Sequence, residues 1–155
     1  MSAGHIYHYF ENKEAIVAAI IEQEQQRHLQ IIHMLLDADS TIDALIQFAE
    51  QTINESLDLS NSTLNFEIIA EASRNAKVLL MLQQSTLILR QHGKEIINKA
   101  RADLPAISEA ENDARCDLII SLFDGLRMRA ICNPHYNIQT ILPVLQRSIV
   151  HIVLS

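Results

Sequence analysis

The sequence predicts an all-α protein, a helical bundle, and three observations carry that expectation. Gly 3 and Pro 3 in 155 residues fall far below average usage of about 7% and 5%, so few tight turns can form. Aromatics make up 5% with no Trp, while Leu, Ile, Ala, Gln and Glu are abundant. That balance favours long helices over sandwiches, barrels or Gly-rich phosphate-binding α/β folds. Apolar residues also recur at helical spacing through most of the chain. The length suits one domain, large enough to hide about 70% of its unfolded surface without disulfides or metals.

The elements follow in order. Residues 1–10, MSAGHIYHYF, read as a short helix capped by Ser2, too small to stand without a partner. Asn12 is read as the N-cap of a helix of about 25 residues reaching Leu36. Its apolar positions are Ile16, Ala19 and Ile20, then Leu29, Ile31, Ile32, Leu35 and Leu36, while Glu22 to His28 is almost wholly polar. Such a helix leaves one packing environment and enters another, and could join a small module to a larger body. Asp39 and Ser40 cap a third helix, with Ile42, Leu45, Ile46, Ala49 and Ile53 on its inner stripe. Leu57 to Ser62 reads as a break. Phe66, Ile69, Ala70 and Ser73 mark a further helix ending near Asn75. From Val78 a long apolar segment runs towards Leu104, where Pro105 disfavours helix, and Gly93 is a point at which it can bend. Ser108 and Glu111 form a capping-box pattern opening a helix that stops at Asn133-Pro134. Ile138 to Ile152 give the last helix, with Pro143 placed where its early turns tolerate it.

The balance of Lys+Arg 12 against Asp+Glu 19 gives a net charge of −7. A polyanion-binding protein shows a basic stripe instead, so nucleic-acid contact is expected only in a small region. Cys116 and Cys132 fit no metal or redox spacing and read as buried small hydrophobes in a reducing compartment. The seven His are scattered, without a completing carboxylate or thiol set, so no metal, cofactor or catalytic residue is expected. The longest apolar run, Ala15 to Ile21, is too short for a membrane span and no signal peptide is evident. A cytoplasmic protein with no membrane partner is expected.

The last two helices carry apolar residues over more than one face. One reading is a two-fold interface with a second copy, through Leu118, Leu122, Gly125, Leu126, Ile141, Leu145 and Ile149. The other is a helix buried in the core of the single chain. Both stay open at this point.

The run Ser2-Ala3-Gly4-His5-Ile6-Tyr7-His8-Tyr9-Phe10, followed by Glu11-Asn12-Lys13-Glu14-Ala15-Ile16, strongly resembles the end of the helix-turn-helix in the tetracycline-repressor (TetR) family. Spacing and residue type agree over about fifteen positions. Glu67 to Asn75 resembles, more softly, a stretch of that family's regulatory domain. The resemblance implies that residues 1–14 are the remnant of a DNA-binding domain and residues 15–155 a helical ligand-binding and dimerisation domain. Ala3, Gly4 and His5 would then lie nearest the bases, while Tyr7, Tyr9 and Lys13 would contact phosphates, fixing register without reading sequence. Ile6 and Phe10 would seat the recognition helix.

The family places two further helices before this run, whereas Met1 precedes it here. The expectation is therefore a chain that does not bind operator DNA specifically, although a full-length parent would. The resemblance further implies a homodimer through the last two helices and an unidentified small-molecule effector that shifts the long helix from Asn12 to Leu36. Phe66, Glu67, Met81, Ile88, Phe123 and Arg127 are the candidates for the effector cavity, with core packing or a solvated charge as the alternative for each. The rival function is a dimerising module that pairs with full-length subunits and removes them from DNA.

Overall fold

The computed structural model describes residues 13–55, 59–133 and 135–155. Among them it contains six α-helices and no strand: α1 (Lys13–Asp37), α2 (Thr41–Glu55), α3 (Leu59–Ala72), α4 (Ala76–Ala100), α5 (Glu109–Cys132) and α6 (Ile138–Leu154). The all-α bundle expected from composition is what forms. The segment read as a recognition helix, with Ala3, Gly4, His5, Tyr7 and Tyr9, lies outside the described residues.

Local side-chain chemistry sets most helix starts. The Ser40 hydroxyl accepts from the Asp43 amide at 3.3 Å, and the Ser108 hydroxyl accepts from the Glu111 amide at 3.2 Å. The Asn137 side chain accepts from the Gln139 amide at 3.0 Å. Each satisfies a donor that the first turn leaves without an intrahelical acceptor. Asn75 begins α4 rather than ending α3: its side-chain oxygen accepts from the amides of Lys77 and Val78. Leu59 to Ser62, expected to be a break, already belongs to α3. Ser and Asn mark the neighbourhood of a helix start, but not its position. Pro143 is the sixth residue of α6 and the helix continues through it, so it lies beyond the first turn where no amide is needed.

α4 touches every other described helix, and two apolar clusters form around it. The larger draws on the C-terminal half of α1 with α2, α4, α5 and α6, including Ile32, Leu35, Ala49, Ile97, Leu145 and Ile149. The smaller joins Val17 and Ile21 of α1 to Ile68 and Ala72 of α3 and Val78 of α4. The two packing environments expected along α1 are therefore both present, and both belong to the same body. Lys99 of α4 fastens the lower end of α1, donating to the carbonyls of Leu36 and of Ala38, the latter at 2.7 Å.

Gly93 lies within an unbroken α4, and its significance is a close approach. A Cβ there would stand 2.5 Å from the Cys116 sulfur of α5, which overlap forbids without movement. Gly125, expected at an interface, has nothing within 4 Å of such an atom. At the far end Arg101, buried in the core, donates to the carbonyls of Val153 and Ser155, each at 2.8 Å. Arg115 donates to Ile152 and to Ser155, the latter at 2.6 Å. Two cations thus meet the last carbonyls of α6, where the helix dipole is negative.

Candidate functional site

A cavity of about 340 Å³ opens along the seam between the two clusters. Ile21 and Ile68 reach it from the smaller cluster, and Ile32, Leu45, Ile97 and Phe123 from the larger one. Helical spacing explains how α5 supplies so much of the wall. Cys116, Ile119, Ile120, Phe123, Asp124 and Arg127 fall on one stripe of successive turns. The Phe123 ring meets Phe48 of α2 edge-on, with centroids 5.6 Å apart. Ile69, Thr86 and Asp124 line the cavity while remaining exposed, and they mark its mouth.

Polar residues on the wall come from five helices: Glu24 and His28 of α1, Thr52 of α2, Asn65 of α3, Ser85 and Thr86 of α4, and Asp124 and Arg127 of α5. The charged ones, Glu24, Asp124 and Arg127, gather around His28. This accounts for the polar middle of the long helix, which spans the seam. Arg27 bridges α1 to α2, with Nη1 donating to Glu55 at 2.6 Å and Nη2 to Glu24 at 2.9 Å. Burial works against the Arg27 charge, but the two carboxylates outweigh it and hold the guanidinium above its ordinary pKa. Burial likewise favours a neutral Glu55, but donors from Gln51 and Arg27 prevail and its pKa is lowered. Burial, aided by the Arg27 charge, lowers the pKa of His28. Its imidazole is neutral at pH 7, with one donor and one acceptor nitrogen. Burial also pushes the Cys116 thiol up to about 11, which leaves it protonated and a poor nucleophile.

The structure brings together only part of the residue set expected at the effector site. Phe66, Phe123 and Arg127 line the cavity. Glu67 is exposed on the outer side of α3, Met81 packs on the smaller cluster, and half-buried Ile88 lies off the cavity wall. Sequence reading missed Glu24, His28 and Thr52. For Glu24 and His28 the one signal was the polar interruption of α1 between apolar ends; Thr52 on α2 had none. Lys13 opens α1.

The residues expected to pair two copies also divide. Leu145 and Ile149 are buried within the subunit, only 4% and 1% exposed, because that stripe of α6 faces α2. Leu122, Leu126 and Ile141 pack against the larger cluster as well. Leu118 and Gly125 do face outwards, and the exposed apolar residues of these two helices also include Met128, Ile131, Val144 and Leu154. Cys132, expected to be buried, is exposed, whereas Cys116 is buried. Among the described residues no group of three His, Cys, Asp or Glu is placed to hold a metal ion. No described helix is long and apolar enough to cross a membrane.

No family model matches the chain. It is 30% identical over 91 residues to the HTH-type transcriptional regulator UidR of Escherichia coli (strain K12), and equally to the protein of that name in Shigella flexneri. The match covers 59% of this chain and 45% of the regulator, so the chain corresponds to less than half the length of these relatives. Among solved structures it is similar to Salmonella enterica GusR, with a TM-score of 0.74 and 24% identity over 99% of this chain and 79% of that one. That likeness establishes the fold.

Proposed function

We propose that this chain is the sensing and pairing part of a TetR-type transcriptional regulator, in which a small molecule in the seam cavity controls DNA binding. The observation that carries the proposal is the position of the cavity. Its wall includes α1, the helix that follows directly on the sequence resembling a DNA-recognition segment. A ligand touching both clusters bears on the angle at which α1 leaves the body, and so biases a two-state equilibrium in the attached head. The names of the relatives as transcriptional regulators and the regulator-like fold agree with this reading. Sequence-selective operator binding is assigned to the helix-turn-helix that the opening residues resemble, with Ala3, Gly4 and His5 at the bases and Tyr7, Tyr9 and Lys13 at phosphates. Pairing of two copies is assigned to the outward faces of α5 and α6, where Leu118, Met128 and Val144 are exposed.

A thermal-shift screen of small amphipathic molecules tests the sensing role, because a ligand that binds only the folded state raises Tm. The proposal expects hits whose effect disappears in an Ile120→Trp variant, where the indole occupies the cavity. A screen without hits, or hits indifferent to that substitution, contradicts it.

A further inference from the structure

We propose, building on the reading of the cavity as a small-molecule site, that its ligand is a compact apolar acid: a ring-like body in the apolar part and an oxyanion, such as a carboxylate, on Arg127. The volume, about 340 Å³, lies near the lower end of known small-molecule sites. The charged lining residues, Glu24, Asp124 and Arg127, gather around His28, while Ile96, Ile97 and Val153 contribute only hydrocarbon to the wall. A molecule matching that division carries its polar group at one end only.

The sign of the polar group follows from how the charges at that end are already partnered. Arg27 is committed, with Nε and Nη2 on Glu24 and Nη1 on Glu55, so the Glu24 charge is answered from within the protein. The Asp124 side chain is 59% exposed and is screened by water, whereas that of Arg127 is only 22% exposed. Arg127 donates once among the described residues, from Nη1 to Asp124 at 3.1 Å, and a guanidinium carries several further N–H groups. The most withdrawn charge at this end is therefore a cation with donors to spare, in the planar fork that suits a carboxylate. A cationic head would face Arg127, the one arginine on the cavity wall among the described residues, and find the lining carboxylates either engaged or solvated. A wholly apolar ligand would strip water from Arg127 and give nothing back. Neutral His28, flanked by Glu24 and Arg27 on its own helix and by Asp124 and Arg127 of α5, adds a hydrogen-bonding group without competing for the anion.

Two fluorescent probes of nearly identical body separate the possibilities: 1-anilinonaphthalene-8-sulfonate, and N-phenyl-1-naphthylamine, which lacks the sulfonate. Titration into the full chain is expected to show both binding. In Arg127→Gln the Kd of the sulfonate should rise about tenfold or more, as loss of a charged hydrogen bond implies, while that of the uncharged dye stays within about twofold. Equal effects on the two dyes, or none, would overturn the acid assignment and leave the cavity reading standing. Failure of the sulfonate alone would overturn the acid assignment, and failure of both dyes to bind a chain that is folded by circular dichroism would overturn the cavity reading with it. The unaltered protein supplies a second readout should the variant not fold. Sodium 2-naphthoate should displace the uncharged dye at about one tenth of the concentration that 2-naphthamide requires, and the reverse order would refute the assignment.

Discussion

The two apolar clusters differ in size and in what they hold. The larger gathers thirteen buried residues from five helices, and α2, α5 and α6 enter only this one. The smaller has five buried residues and holds the N-terminal half of α1 against α3 and α4. The cavity lies between them, so an occupant touches a strongly fixed body on one side and a weakly fixed shaft on the other. The comparison teaches where motion costs least. Burial contributes about 25 cal/mol per Å², so the side with fewer buried residues is the side a ligand can move.

Ile149→Ala should have the largest effect on this balance, because the side chain is 1% exposed amid the larger cluster. A loss of about 2–5 kcal/mol in denaturant unfolding is expected for such a truncation. Val78→Ala in the smaller cluster should cost about 2 kcal/mol, from two methyl groups at about 0.8 kcal/mol each plus a small void. Equal or reversed losses would break the distinction between a fixed body and a lightly held shaft.

A smaller effect comes from His28 at the seam. Its pKa is lowered in the folded chain, so below about pH 6.5 the unfolded state binds the proton more readily. Stability is accordingly complete above that pH and is lost as pH falls through the folded-state value. His28→Gln should flatten the fall of Tm between about pH 7 and pH 5. An unchanged slope would contradict the burial of His28 against the cavity wall.

Much of the fold was legible because it depends on short-range chemistry. The Ser108 cap, the end of α5 at Asn133, and the stripe of Leu45, Ala49 and Ile53 on α2 each need only a few neighbouring residues. Asn75 was misplaced because an Asn near a helix boundary suits either end, and only the amides of Lys77 and Val78 decide between them. The site was less legible. Phe66, Phe123 and Arg127 could be named as large or charged residues on apolar helices, but Glu24 and His28 acquire their role from the way α1, packed on α4, faces α5 across the cavity. The outer face of α5 and α6 suffered similarly. Leu145 and Ile149 look the same in sequence as an exposed apolar stripe, and it is the packing of α6 on α2 that turns them inwards.

Amide hydrogen exchange of the full chain, with and without N-phenyl-1-naphthylamine, tests most directly whether the seam is the site and α1 its responder. Added protection should concentrate in α1 from Glu24 to Ile32 and in α5 from Ile119 to Arg127, with the outer positions of α6 around Val144 little changed. Protection confined to α6, or a bound dye that leaves α1 unaffected, would contradict the account.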